Sequence, residues 1–175
     1  MADAIIPNFG DDEDTDRKFV IICSKGNLDM AYPALVLANA ALGEGIETHL
    51  FFTFWGFDMI IDSRMDDLKF TAAGNTAMHL PIKGREVRIP QAVMPLPGMT
   101  GMATKMLKDQ LEELDLPNVR DFLDQIVAAG GHLWACRLSA DMNKVDMDDL
   151  YEGVDDIINA SDFIEMTDGA QLLFI

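Results

Sequence analysis

The chain has 175 residues, a net charge of −17 and two cysteines, and these values already limit its class. A chain of this length fits one domain that buries about two-thirds of its unfolded surface without disulfides. The negative charge disfavours binding to nucleic acid or anionic lipid. Two separated cysteines without a C-x-x-C pair indicate a reducing, cytoplasmic setting. We expect neither a signal peptide nor a transmembrane segment, because no apolar run approaches about 18 residues.

The first 17 residues are predicted to form an acidic, disordered tail. Six acidic residues precede the first basic residue, Arg17: Asp3, Asp11, Asp12, Glu13, Asp14 and Asp16. A segment with this much unbalanced charge buries too little apolar surface to fold alone. We therefore place one domain at residues 18–175 and interpret the tail as a solubilising extension, with docking to a basic partner as the alternative.

A strand, a helix and a second strand are predicted at the start of the domain. Phe19–Cys23 is a continuous β-prone run, as in strands buried on both faces of a parallel sheet. A helix capped by Asn27 or Asp29 runs to Leu42 and is ended by glycines. Ile46–Thr53 then supplies the second strand through a right-handed crossover.

An aromatic segment lies at the carboxyl end of the second strand. Residues 51–57 read F-F-T-F-W-G-F, and Trp55 is the largest of these side chains. The segment either packs into the core under a helix predicted at Asp58–Ile61 or lines a pocket. From Asp62 to Arg88 the pattern weakens, and we expect a loop or a short hairpin.

A Met-rich segment follows a Pro/Gly-rich loop and is predicted to form a helix that ends near Leu114. Met99, Met102 and Met106 share one face of this helix. Methionine is flexible and polarizable, so the stripe either fills the core or contacts a partner.

The segment around Cys136 is the strongest candidate for chemistry. An amphipathic helix at Val119–Ala129 ends at two glycines, and the apolar run His132–Ala135 forms a strand with Cys136 at its carboxyl end. Open α/β sheets bind ligands at this edge. Ser139 and Asp141 are expected to cap a helical turn whose N–H groups favour a thiolate. The alternative is that Cys136 is inert, buried packing.

The rest of the chain completes the predicted fold. It contains a helical turn, a strand, a short helix and a closing strand, at Val145–Leu150, Val154–Ile158, Ala160–Thr167 and Gln171–Ile175. Five strands alternating with helices predict a three-layer α/β domain of mainly parallel strands with helices on both faces. The direction of the final strand stays open.

Four segments in this order resemble the DsrE/DsrF-like superfamily, specifically its DsrE2-type branch of sulfur-trafficking proteins. They are Ser24-Lys25-Gly26 with Asp29 after the first strand, T-F-W-G at Thr53–Gly56, the segment Pro97–Met106, and A-C-R-L-S-A-D-M at Ala135–Met142. The resemblance spans Phe19 to Ile175. It implies a flavodoxin-like fold, a homo-oligomer, and a cysteine that carries sulfur as a persulfide, which is Cys136 here.

The predicted function is a sulfur carrier or sulfurtransferase-type protein that passes sulfur from Cys136 to a protein or small-molecule acceptor. Lys25, Trp55 and Arg137 are candidate supporting residues, together with the two predicted caps. Cys23 is a candidate second thiol, because its strand is expected to neighbour the strand of Cys136.

No metal or organic cofactor is required for this chemistry, and the turn after the first strand matches no phosphate-binding loop. The alternative function is a non-catalytic, oligomeric module that binds a small ligand or a protein, with an incidental cysteine.

Overall fold

A computed structural model describes residues 17–82 and 85–175 of the chain. The strands are β1 (Lys18–Cys23), β2 (Glu47–Phe52), β3 (His79–Ile82), β4 (Arg85–Arg88), β5 (His132–Cys136), β6 (Asp156–Ile158) and β7 (Ala170–Phe174). The α-helices are α1 (Leu28–Gly43), α2 (Met99–Glu113), α3 (Val119–Ala128), α4 (Arg137–Asn143) and α5 (Ala160–Met166). Short 3-10 turns lie at Phe54–Met59, Met65–Asp67 and Met147–Asp149.

The centre of the domain is a five-stranded sheet in the order β6-β5-β2-β1-β7. Every neighbouring pair in it is parallel, including β7 beside β1. The predicted α/β class is therefore confirmed, and the closing strand, whose direction the sequence left open, runs parallel. β3 and β4 form a separate antiparallel hairpin in the segment predicted to be a loop or hairpin.

Helices cover both faces of the sheet. On one face α1 and α3 pack against β2, and Leu35, Leu50 and Leu123 are fully buried there. On the other face Phe163 of α5 stacks on Phe51 of β2, with ring centroids 4.1 Å apart. None of the helices in the described ranges is long and apolar enough to cross a membrane.

Two local predictions in the first half of the domain are wrong. The helix expected at Asp58–Ile61 is a 3-10 turn that begins earlier, at Phe54. Asn27 occupies the N-cap position of α1 without a side-chain cap bond, and Asp29 instead accepts a hydrogen bond from the Thr71 N–H at 2.9 Å. The predicted acidic tail lies outside the described residues, apart from Arg17.

The predicted methionine stripe on α2 is partly exposed. Met99 packs against a small cluster that contains Met94 and Ala103, whereas the Met102 side chain is 45% exposed. Met106 is half-buried. The stripe therefore divides between packing and open surface, and the homo-oligomer stays a prediction.

Two glycines allow the chain to pack tightly beyond the carboxyl ends of β1 and β2. A Cβ atom on Gly56 would lie 2.1 Å from the carbonyl oxygen of Cys23, and one on Gly26 would lie 2.2 Å from that of Trp55. Both obstacles are backbone atoms, so a side chain fits only if the chain moves. The turn after β2 is therefore fixed against the end of β1.

Gly56→Ala is expected to lower the free energy of unfolding by about 2–3 kcal/mol, because the added methyl overlaps the backbone of β1. Gly101→Ala is the matched control, since a Cβ there meets nothing within 4 Å. Its position in α2 predicts equal stability or a gain of up to about 1 kcal/mol. Urea denaturation measures both variants, and equal losses in the two would contradict the packing argument.

Candidate functional site

Cys136 ends β5 and is at the same time the N-cap residue of α4. The helix follows the strand without an intervening turn, so the thiol lies at the carboxyl edge of the sheet with 8% of its surface exposed. This corrects the predicted caps. Ser139 and Asp141 lie inside the first turns of α4 and cap nothing, because the last strand residue already occupies the cap position.

Ser139 lies buried beside the thiol and joins α4 to the end of β2. Its hydroxyl oxygen accepts a hydrogen bond from the Phe54 N–H at 2.7 Å and lies 3.5 Å from the hydroxyl of Thr53. Thr53 in turn donates its backbone N–H to the carbonyl oxygen of Cys23 at 3.0 Å. Hydrogen bonds therefore connect the end of β1, the residues after β2 and the first turn of α4.

The surroundings of Cys136 favour its thiolate. Burial alone raises the pKa of the thiol, but the Thr53 hydroxyl, the Ser139 N–H and hydroxyl, and the Leu138 N–H together bring the pKa below its ordinary value. The Cys136 side chain makes no cap hydrogen bond in α4. A lowered pKa makes a cysteine a better nucleophile at neutral pH.

Cys23 and Cys136 lie on opposite faces of the sheet, and their strands are not neighbours. This corrects the expectation that the strands of the two cysteines lie side by side. β2 separates β1 from β5, and two strand spacings amount to roughly 10 Å. Cys23 is level with Ala135, the residue before Cys136, and successive side chains point to opposite faces. Burial raises the pKa of Cys23 to about 12. Its link to the site is its carbonyl oxygen, which accepts from Thr53.

The predicted counter-charges do not contact the thiol. The Arg137 guanidinium donates to the carbonyl oxygen of Ile157 at 2.9 Å, and Lys25 is exposed on the loop after β1. Within the described ranges, neither is among the groups that lower the pKa of Cys136. Asp141 is exposed on α4.

The aromatic segment after β2 divides between core and surface. Phe52 and Phe57 are fully buried, whereas Phe54 is 49% and Trp55 71% exposed. Phe54 has a φ of 47°, in the left-handed region that bulky residues rarely adopt. Its backbone N–H bonds to the Ser139 hydroxyl in this conformation, in which both aromatic side chains are exposed. Each of the two predicted alternatives therefore describes part of the segment.

Thr53 is the site residue that the sequence analysis did not single out. It follows the last residue of β2, and its hydroxyl is the first of the groups that lower the pKa of Cys136. The position of Thr53 at the end of a strand could have identified it, since polar residues at the carboxyl ends of adjacent parallel strands meet at one edge of the sheet.

A chain of polar side chains lies on the same sheet face as Cys136. The Trp134 ring N–H donates to His49 Nδ1 at 3.0 Å, and His49 Nε2 lies 2.7 Å from Glu47, which pairs with Lys18 at 3.2 Å. The His132 ring stacks on His49 with centroids 4.9 Å apart. This pattern requires a neutral His49 with its proton on Nε2. In the parts of the chain that are described, no cluster of three His, Cys, Asp or Glu side chains could hold a metal ion.

Comparison with known proteins assigns the family. The model of the DsrE/DsrF/DrsH-like family matches residues 15–174. The chain belongs to this family. The resemblance inferred from its four sequence segments is therefore confirmed.

Two curated relatives cover most of the chain. The sulfur carrier protein DsrE2 of Allochromatium vinosum is 31% identical over 139 residues, which is 79% of this chain and 86% of that protein. The uncharacterized protein YrkE of Bacillus subtilis is 23% identical over 163 residues, covering 93% and 99% respectively.

Two solved structures share the fold. The YchN protein of E. coli has a TM-score of 0.52 at 14% identity and matches 91% of this chain and 99% of its own. MTH1491 of Methanobacterium thermoautotrophicum, a protein of unknown function, has a TM-score of 0.55 at 11% identity and matches 91% and 100%. At these identities the likeness concerns the fold alone, and it confirms the flavodoxin-like prediction.

Thr53→Val is expected to raise the pKa of the Cys136 thiol, because it removes a hydroxyl donor while keeping the side-chain shape. The matched control is Thr48→Val, since Thr48 is also buried but lies within β2 and donates to the Ile46 carbonyl oxygen. The pH dependence of alkylation by iodoacetamide measures the thiol pKa. An upward shift for Thr53→Val alone supports the assignment, and identical profiles contradict it.

Stability is expected to decrease as pH falls below about 6.5, the ordinary histidine pKa. Burial lowers the pKa of His49, while Glu47 partly opposes this and His132 and Lys18 reinforce it. Below this pH, His49 binds a proton in the unfolded chain but not in the folded chain. The free energy of unfolding therefore falls until the pH passes below the folded-state pKa of His49.

His49→Gln should remove this component, because the amide oxygen can still accept from Trp134 but does not titrate. The exposed His79 provides the control variant, His79→Gln. Trp134 fluorescence in a Trp55→Phe background follows unfolding at each pH. An unchanged pH dependence in His49→Gln would exclude His49 as its source.

Proposed function

We propose that this protein is a sulfur carrier that holds sulfur as a persulfide on Cys136 and passes it to an acceptor in the reducing cytoplasm. The observation that carries the proposal is the lowered pKa of a thiol placed at the ligand-binding edge of the sheet. Membership of the family supports it, as does the similarity to a protein from Allochromatium vinosum named as a sulfur carrier.

Loading follows from ordinary thiol exchange. The Cys136 thiolate attacks the terminal sulfur of a donor R–S–SH, forming a Cys136 S–S bond and breaking the S–S bond of the donor. The product R–S⁻ leaves with the electron pair, and the proton stays on the transferred sulfur. Sulfur moves at its existing oxidation level, so no external oxidant or reductant takes part. Delivery is the same step in reverse, with an acceptor thiolate as the nucleophile.

The site residues favour both anionic forms of this reaction. The hydroxyls of Thr53 and Ser139 and the N–H groups at the start of α4 stabilise the thiolate. We expect the same donors to stabilise the anionic terminal sulfur of a persulfide on Cys136. Stabilisation by neutral donors rather than by a paired cation leaves the sulfur nucleophilic, because no strong ion pair must be broken.

We further propose that proteins or small molecules donate sulfur to Cys136 and accept sulfur from it, and that the carrier is a homo-oligomer. The partly exposed Met102 on α2 supports an additional contact surface. Whether transfer is catalysed depends on the partner, because the thiol alone supplies only the exchange step.

Persulfide loading of wild type, Cys23→Ser and Cys136→Ser tests the proposal. After exposure to glutathione persulfide, intact-mass and peptide mass spectrometry should show one added sulfur on the Cys136 peptide in the first two proteins and none in the third. The Cys23 peptide should gain no sulfur, because the Cys23 thiol is buried and its pKa is raised.

Cys136→Ser is nearly isosteric, so thermal unfolding should show an intact fold, at a cost of about 1–2 kcal/mol. Undiminished loading of folded Cys136→Ser would refute the assignment. Absence of loading in all three folded proteins would favour the non-catalytic binding module.

A further inference from the structure

Four exposed apolar side chains lie on the 3-10 turn after β2 and on α4, the two segments that supply the groups around the thiol, and are called here the thiol rim: Phe54, Trp55, Leu138 and Met142. Their exposed fractions are 49%, 71%, 55% and 56%. Leu138 and Met142 are one helical turn apart on α4 and share its outer face. Phe54 is joined to α4 through Ser139. The two aromatic residues and the two aliphatic ones thus lie on two elements that pack against each other.

The thiol rim is held rigidly in its exposed arrangement. The left-handed Phe54 is fixed by its bond to Ser139. Arg64 donates to Asp58 in the 3-10 turn at Phe54–Met59 and to Asn143 at the end of α4, each at 2.8 Å, which connects the two elements. An apolar surface that is already ordered loses little conformational entropy when a partner covers it.

The border of the thiol rim is acidic. Asp141, Asp146, Asp148 and Asp149 are exposed on α4 and the following 3-10 turn, where the exposed cations are Lys144 and Arg137. Arg137 donates to the carbonyl oxygen of Ile157, and the four carboxylates outnumber the two cations. The whole chain carries a net charge of −17. This field repels small sulfur-bearing anions and attracts a positively charged surface.

A molecule that exchanges sulfur with Cys136 must reach a largely buried thiol. Cys136 is 8% exposed, and exchange needs a new bond directly to its sulfur. We infer, on the basis of the proposed carrier function, that the thiol rim docks a partner protein whose own sulfur-bearing cysteine is surrounded by apolar side chains and a basic border. Aromatic and Met side chains at the centre of such a contact supply most of its binding energy.

Activated peptides test the docking surface without requiring sulfur loading. Three synthetic peptides carry one cysteine as a mixed disulfide with thiopyridine: one with apolar neighbours and outer lysines, one with the same neighbours and outer glutamates, and one with Gly/Ser neighbours and outer lysines. The Cys136 thiolate attacks the peptide sulfur, the new S–S bond joins protein and peptide, and thiopyridone leaves with the electron pair. Thiopyridone release gives the rate, and mass spectrometry confirms the product.

The apolar, basic peptide should react about tenfold faster than either of the others in full-length protein. Added salt should reduce the ratio of its reaction rate to that of the acidic peptide, because screening weakens the attraction between the charges. Trp55→Ala and Leu138→Ala should each slow it about fivefold, relative to the rate with neutral dithiodipyridine, which reports intrinsic thiol reactivity.

Leu172→Ala is the matched control, because Leu172 is 53% exposed on β7, three strands from β5. Its rates should equal those of wild type. Equal rates for the three peptides, a lead for the acidic peptide, or equal effects of Trp55→Ala and Leu172→Ala would each overturn the docking site.

The carrier function and the docking site can be contradicted independently of each other. A protein that selects the apolar, basic peptide but gains no sulfur from glutathione persulfide keeps the docking site and loses the carrier function. A protein that loads sulfur but shows no peptide preference loses only the docking site.

Discussion

The hydrogen bond from the Phe54 N–H to the Ser139 hydroxyl oxygen is the contact on which the candidate site depends. It connects the segment that leaves β2 with the first turn of α4, two elements far apart in sequence. Because of this bond, Thr53 presents its hydroxyl to Cys136 while Phe54 and Trp55 turn outward. One buried serine thereby couples the acidity of the thiol to the shape of the surface around it.

The sequence predicted the elements of the fold better than their arrangement. Phe19–Cys23 is recognisable as a strand because a continuous β-prone run suits a sheet covered on both faces. The place of that strand in the sheet depends on long-range pairing, which local pattern does not encode. The expectation that β1 neighbours β5 was therefore wrong, although both strands were identified.

The candidate site was predictable in part for the same reason. Cys136 was found because a thiol ends an apolar strand followed by helix-forming residues. Thr53 was missed because its role depends on which strand lies beside β5, and Ser139 was given the wrong role because strand and helix join without a turn. Polar residues that act through neighbours become visible only when the strand order is known.

The placement of Cys23 and Cys136 on opposite faces affects how long a sulfur atom on Cys136 would persist. A second thiol within reach of a persulfide would attack it, close an internal disulfide and release the outer sulfur as hydrogen sulfide. Here β2 and the sheet itself stand between the two sulfur atoms. Under the proposed carrier function, a sulfur atom held on Cys136 would therefore be protected from attack by Cys23 and would leave only when a thiol from another molecule reaches it.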